Sequence, residues 1–509
     1  MIIKIVLLIV FFAVMVTVGL YSRKHATSVD GYVLGGRSVG PWLTAFAYGT
    51  SYFSAVVFVG YAGQFGWKYG LASTWIGLGN AIIGSLLAWV VLGRRTKVMT
   101  QHLNSKTMPD FFGERFDSKA LKITASAIVF IFLVPYTASV YNGLSRLFGM
   151  AFNIRYTYCV LVMAIFTGIY VILGGYMATA INDFIQGIIM LGGIVAVIAA
   201  VLSGQGGFIQ AIRTMAEIPS DIEVTMGQPG AFTSFFGPDP LNLLGVVILT
   251  SLGTWGLPQM VGKFYAIKDE KSIKTGTVVS TLFAVVISGG CYFLGGFGRL
   301  FDNPSIYDAE TGAVIYDSII PYMLSTLPDI LIGIVVVLVL SASMSTLASL
   351  VLTSSSTLTL DFLKDNVMKN MDEKKQVRTM QVLVVFFSVL SVVIAMDPPT
   401  FIAQLMGISW GALAGAFLAP FLYGLYWKGV TKAAVWASFA SGVGITVSNM
   451  FLKYIASPIN AGAIAMIVGL IIVPIVSVIT PKLRKEKVDD IFTCYDEKVT
   501  ITKKSSLEE

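Results

Sequence analysis

Gly253-Thr254-Trp255-Gly256-Leu257-Pro258 interrupts an apolar stretch at 241–263. Proline has no amide donor and clashes with the turn before it, and the glycines loosen that turn further, so a helix here must break. An earlier apolar stretch, 41–65, carries Ala47-Tyr48-Gly49-Thr50-Ser51 at its centre and predicts a second interruption there. Each stretch opens a block of roughly five membrane-length segments. Paired interruptions at matching places in two halves predict a binding site at the bilayer midplane. Freed carbonyls there coordinate a cation, and half-helix ends supply dipoles. The plainer account is packing glycines, which are common in membrane helices.

Of 509 residues, 55% are hydrophobic and 12% charged, about half the charge fraction of a soluble domain. The chain reads as an all-α polytopic membrane protein with about 13 crossings by apolar length. The first apolar run is too long for a signal-peptide core and reads as a retained span. Most of the basic residues fall in one set of loops, among them Arg94, Arg95, Lys263, Lys268, Lys374 and the tail from Lys482. The opposite loops hold only Lys68, Arg155, Arg213, Arg299 and Lys453. That excess marks the cytoplasmic side. It predicts a multi-pass protein of the plasma (inner) membrane, with the N-terminus outside and the C-terminus cytoplasmic.

The net charge of +7 lies in short loops and does not point to nucleic acid. Cys159, Cys291 and Cys494 have no disulfide or metal-ligand spacing, and His25 and His102 fall in predicted cytoplasmic loops. The acidic connections at 204–237 and 300–327 read as solvated, and the polar tail after Pro481 as disordered.

Ionisable groups inside the apolar segments are nearly absent. A charge at a helix centre costs about 2.5–3.5 kcal/mol on insertion scales. Arg146 sits near a span end and reads as snorkelling. Mid-membrane chemistry therefore falls to hydroxyls, amides, aromatics and carbonyls. That excludes a membrane enzyme with an acid/base constellation and argues against a carboxylate proton relay. The densest hydroxyl cluster is Ser341-Ala342-Ser343-Met344-Ser345-Thr346. Helical spacing lets Ala342, Ser345 and Thr346 present a carbonyl and two hydroxyls to one neighbour. Hard oxygens of this kind suit Na+; Ser and Thr bonding back to their own helix is the alternative. After Gly174-Gly175 a span restarts near Asn182-Asp183. Asp183 reads there as an N-cap, with a cation relay at the inner mouth as the functional alternative.

These stretches resemble the sodium:solute symporter family. The likeness runs from Tyr32-Val33-Leu34-Gly35-Gly36-Arg37-Ser38 to Trp427-Lys428. It takes in Met108-Pro109-Asp110-Phe111-Phe112, the Gly174-Gly175 to Gln186 stretch, Gly253 to Pro258 with Lys263-Phe264, and the Ser341–Thr346 cluster. The resemblance implies a LeuT-like fold of two inverted five-helix repeats with two discontinuous helices. On that basis the chain divides into an extra N-terminal helix and loop at 1–40, a first repeat at 41–203 and an extracellular loop at 204–237. A second repeat at 238–427, two additional helices at 428–480 and a cytoplasmic tail at 481–509 follow. The resemblance also implies Na+-coupled import of a small organic solute by alternating access.

By the same resemblance, Na+ is held by the carbonyls of Thr50, Phe53 and Ala342 and the hydroxyls of Ser345 and Thr346. Asp183 matches an acid on the Na+ exit route. The solute is expected against Tyr52, Ser54, Val57, Trp75, Tyr136, Thr254, Trp255 and Gln404. Proline carriers of the family have an acid where Tyr52 stands, and differ again at Thr254 and Leu257. Tyr69-Gly70-Leu71 with Tyr52 is closer to pantothenate-like or monocarboxylate carriers. A carboxylate-bearing solute (a monocarboxylate, a pantothenate-like acid or an amino acid) is the expectation. An H+-coupled or facilitative carrier of the same fold, or a solute sensor, is the alternative. Stoichiometry, a second cation site and oligomeric state are left open by the residues.

Overall fold

The computed structural model describes residues 2–152, 154–397 and 402–495, with side chains from residue 4. The described residues form no extended sheet, only two isolated bridges. Helix α1 (Ile2–Ser22) precedes a short hook, α2 (Val29–Leu34). The first interrupted helix joins α3 (Pro41–Tyr52) to α4 (Ala62–Tyr69) through π turns at Val56–Tyr61. α5 (Thr74–Gly79) continues through π turns at Asn80–Leu87 and Trp89–Gly93 into α6 (Arg94–His102). α7 (Met108–Arg115), α8 (Lys119–Phe152), α9 (Tyr156–Gly204) and α10 (Phe208–Glu217) follow. The second interrupted helix is α11 (Pro240–Leu252) and α12 (Pro258–Ala266). Then come α13 (Glu270–Gly295), α14 (Tyr316–Ser325), α15 (Asp329–Thr357) with a π extension at Leu358–Val367, and α16 (Glu373–Met396). α17 (Ile402–Tyr426), α18 (Lys432–Leu452), α19 (Pro458–Ile479) and α20 (Lys485–Thr493) complete the described chain.

Among the described residues, 11 helical stretches are long and apolar enough to cross a membrane. Two of them, 47 and 49 residues long, are about twice the length one crossing needs. The sequence reading separated each into two spans. Each contains a bend at a glycine with positive φ. Gly70 has φ 58° and ψ −139°, and Gly175 has φ 54° and ψ −142°. That region is open to glycine and closed to nearly every other residue. A side chain at either would also collide with backbone, the carbonyl of Phe232 at 2.1 Å and that of Tyr32 at 2.7 Å.

α15 packs against α8 and α9, and α3 lies against α9, α13 and α15. α17, α18 and α19 pack as a group to one side. The two interrupted helices thus run between neighbouring helices and stay buried along most of their length.

Two expectations fail, the first in part. The connection at 300–327 is solvated around Asp302 and Glu310 but not throughout. Its α14 packs on α4, on α8 and on the π turns at Val56–Tyr61, and Asp317 is buried. Asp317 accepts from the Ile402 amide at 3.3 Å and lies 3.8 Å from Arg146. Burial pushes its carboxyl above the ordinary range, against the pull of Arg146. Arg146 itself donates to Asn142 Oδ1 at 3.1 Å and stays part-exposed. The tail is ordered as α20 through residue 493, because Val488, Ile491 and Phe492 bury an apolar edge; residues 496–509 lie outside the described ones.

Candidate functional site

The first interruption falls later than the glycine predicted. Ala47 to Ser51 are helical, and the chain first extends at Phe53, with φ −111° and ψ 97°. Gly49 is a packing glycine: a Cβ there would lie 2.4 Å from the Phe283 ring, and its carbonyl still accepts the Phe53 amide. The ladder fails one residue on, where Ser54 Oγ takes the Val56 amide at 3.2 Å. A short polar side chain here out-competes the helix for its own backbone.

One turn before that break the chain reaches α15. The Thr50 carbonyl oxygen lies 3.2 Å from Ser345 Oγ and 3.2 Å from Thr346 Oγ1. Both hydroxyls also lie 3.1 Å from the Ala342 carbonyl. Back-bonding to Ala342 is ordinary for Ser and Thr in a helix. The Thr50 carbonyl is the addition, because it comes from another helix. Each hydroxyl has one proton, so two protons are shared among more carbonyl oxygens than they can satisfy. Four neutral oxygens converging in this way are a fitting cage for a small hard cation. Phe53 joins Ala342 in lining a small cavity of about 10 Å³ beside it. The Thr50, Ala342, Ser345 and Thr346 positions are therefore brought together, with Phe53 adjacent.

Asp183 is not an N-cap. The helix resumes directly after the bend at Gly175, which leaves Asp183 inside α9 and 0% exposed. Its nearest cation is Lys263 Nζ at 3.8 Å. Lys263 was read as a loop residue; it is buried within α12. Its partner is 80 positions away in sequence, so nothing local announced the pair.

Of the solute candidates, Tyr52, Ser54 and Tyr136 gather round Trp410, which the sequence reading missed. The Trp410 ring is 6.0 Å from Tyr52 and 5.9 Å from Tyr136, and Ser54 flanks the Tyr136 hydroxyl. The Tyr136 hydroxyl and Trp410 Nε1 have no hydrogen-bond partner, and neither have the buried hydroxyls of Tyr61 and Tyr292. Tyr52 Oη donates to the Thr250 carbonyl at 2.5 Å and so bridges the two interrupted helices. Val57 is buried in the π turns that follow. Gln404 lies on the first turn of α17, about 9 Å along the axis from Trp410.

Thr254 and Trp255 are engaged elsewhere. Thr254 Oγ1 donates to the Gly84 carbonyl at 3.1 Å, and Trp255 Nε1 to the Ile83 carbonyl at 3.0 Å. Both acceptors lie in π turns, whose widened ladder turns carbonyls toward neighbours. Trp75 is the clear misplacement. Its Nε1 donates to the Phe235 carbonyl at 2.7 Å, and its ring packs on Phe235 and Phe236. It belongs to the connection before α11, away from the aromatic group around Trp410. The family resemblance nominates it, and membrane-interface tryptophans share its aromatic character.

The sequence model of the sodium:solute symporter family matches residues 32–442. The chain belongs to that family. A sodium/proline symporter of Staphylococcus aureus (strain JH9) is 29% identical over 94% of this chain and 93% of its own length. Among solved structures, a Na+-coupled sialic acid symporter in a substrate-bound outward-open state superposes with a TM-score of 0.76. The overlay covers 95% of this chain and 98% of that one at 16% identity. MhsT in complex with L-phenylalanine superposes with a TM-score of 0.52 at 14% identity, over 85% of this chain and 97% of that one. The symporter has the LeuT-type transporter fold, is an integral multi-pass membrane protein and is a transporter rather than an enzyme. Na+ is its coupling ion, and the oxygens around Thr50 and Ser345 fit that ion's chemistry.

Proposed function

We propose that this symporter imports a small carboxylate-bearing organic solute with Na+ held at Thr50, Phe53, Ala342, Ser345 and Thr346. The reach of the Thr50 carbonyl to the Ser345 and Thr346 hydroxyls carries the reading. It ties the first interrupted helix to α15, so ion occupancy and the position of that helix are coupled. Loss of the ion frees the helix, as alternating access requires.

The solute is assigned to the space beside Tyr52, Ser54, Val57 and Tyr136, with Trp410 below and Gln404 above. The orphan groups there are phenols and an indole N–H, which donate to oxygen acceptors. A buried carboxylate meets its donors in such a set, and Na+ nearby balances its charge. An amine would have no acidic partner, since Tyr52 supplies none.

Thirteen crossings, the inverted-repeat boundaries given above and a cytoplasmic basic end belong to the same reading. Asp183 then lies on the cytoplasmic side of the ion, on its way out.

Uptake into liposomes holding the purified protein tests the proposal, with a panel of monocarboxylates, pantothenate-like acids and amino acids under Na+, K+ or pH gradients. Accumulation of a carboxylate only under an inward Na+ gradient is expected. Accumulation driven by pH alone replaces Na+ coupling with H+ coupling. Preference for an amine lacking a carboxylate overturns the solute class.

A further inference from the structure

A groove runs between α11 and the wall made by α5 with the π turns that follow it. Ile82, Leu86, Val90, Leu241 and Leu244 are exposed along its rims. Both walls belong to stretches long and apolar enough to cross a membrane. The groove is therefore continuous with the surface this multi-pass protein presents to acyl chains. Ile82, Ile83, Leu243, Leu244 and Val247 line a hollow in it of about 320 Å³. A second hollow of about 320 Å³ adjoins the first at Trp75 and Leu78. There Thr74, Thr233 and Ser234 add hydroxyls to the lining. Each hollow reaches the size of a small-ligand site, about 300–1,000 Å³.

The two hollows differ in chemistry. The apolar one faces hydrocarbon, and a void there forfeits dispersion contacts until a chain fills it. The other lies beside Phe235 and Phe236, which are 67% and 61% exposed, an aromatic lip of the kind that marks a membrane–water boundary. Thr233 Oγ1 and Ser234 Oγ already donate to the Gly230 and Ala231 carbonyls, at 3.1 and 2.8 Å. Having given their protons, both oxygens are left as acceptors. Among the described residues no charged side chain lines either hollow. The acid Asp239 caps α11 next to Pro240, which is part of the lining. Acceptor oxygens with a carboxylate close by suit a group that carries N–H donors and positive charge. They disfavour an anionic head group.

The groove also touches moving parts. Gly79 lets the walls meet, since a Cβ there would lie 2.6 Å from the Val247 side chain. The Ile83 carbonyl, in the opposite wall from α11, accepts from Trp255. α11 itself is the first half of the second interrupted helix.

We infer that this groove is a lipid site for a phospholipid with a primary-ammonium head group. One acyl chain fills the apolar hollow, and the ammonium donates to the Thr233 and Ser234 oxygens. The chain rests on both walls and so braces α11 against α5. The site stands whichever solute the symporter carries.

Photolabelling of the purified full-length protein in phosphatidylcholine vesicles tests this. The probes are phosphatidylethanolamine, phosphatidylcholine and phosphatidylglycerol, each with a diazirine on the same acyl chain, and adducts are mapped by peptide mass spectrometry. The exposed face of α16, with Val382, Val385 and Val389, is the internal reference for passing lipid. The phosphatidylethanolamine probe is expected to label 78–83 and 240–247 several-fold more densely than α16, and several-fold more than the other two probes do. Leu244→Trp fills the hollow from a lipid-exposed position and is expected to bring that labelling down to the α16 level. Ile82→Trp does the same from the opposite wall, should the first variant not be recovered. Labelling no denser than on α16, whether the groove stays empty or a second copy covers it, overturns the site. Undiminished labelling in the filled variants overturns it equally. Dense labelling shared by all three probes overturns the ammonium head group.

Discussion

The two interrupted helices hold matching places in the chain but are broken by different physics, and they meet α15 through different groups, a main-chain carbonyl in the first and the Lys263 side chain in the second. The second is broken by its own sequence. A 3-10 turn at Gly253–Trp255 ends at an extended Leu257, and Pro258 starts the next helix. Its side chains Thr254 and Trp255 then bond to the π turns at Ile83 and Gly84. The first is broken by Ser54 capturing a backbone amide, and it faces α15 with a main-chain carbonyl that meets two hydroxyls. A side-chain bond to a backbone acceptor needs no ion. A carbonyl set against hydroxyls gains most when an ion sits between them. On the Na+ site proposed above, the two breaks divide labour, one anchoring and one sensing.

The sharpest way to break this contrast is at the sensing side. Ser345→Ala with Thr346→Ala removes the two hydroxyls proposed as Na+ ligands and leaves the helix intact. At about 1.5–3 kcal/mol for each bond to a charged partner, the Na+ concentration for half-maximal uptake should rise more than tenfold. An unchanged Na+ dependence in a normally expressed double variant would remove the ion from this break. Next in size is Gly84→Ala, whose Cβ would fall 2.2 Å from Tyr52 Oη. Overpacking of this kind costs about 1–3 kcal/mol. A melting temperature lower by several degrees, with weakened uptake, is expected, because Tyr52 and both interrupted helices meet there.

Trp255→Phe tests the anchoring side alone. Losing one donor to the Ile83 carbonyl should cost about 1 kcal/mol of stability and leave Na+ affinity unchanged. A large Na+ effect from this variant would erase the division between the breaks. Smallest is Thr50→Ala. The Thr50 hydroxyl bonds back to Phe46 at 2.8 Å, and only its carbonyl meets α15. Less than about a threefold change in Na+ requirement is expected on the scale of a single neutral hydrogen bond.

The same contrast governs what could be read in advance. Pro258 stands with Gly253 and Gly256 close before it, whereas Pro135 and Pro420 lie inside continuous helices; that combination made the second interruption legible from residues alone. Gly49 looked like its counterpart, yet glycine also serves close packing, and here it admits Phe283. Ser54 carried the true signal, but a single serine has no fixed local meaning. The Ala342, Ser345 and Thr346 face was legible because helical spacing fixes it. Trp410 and Lys263 were not, since their roles arise from partners far along the chain. The polar groups mistaken for solvated ones, Asp317 above all, were misread because a connection's acidity says nothing about what folds over it.

Lys263 also bears on how substitutions in this region behave. It and Asp183 are both buried, 3.8 Å apart. Removing one partner leaves the other charge without its counter-charge, a loss of about 3–5 kcal/mol. A single substitution at either position therefore weakens the fold itself, and a fall in uptake there reports on stability before it reports on transport.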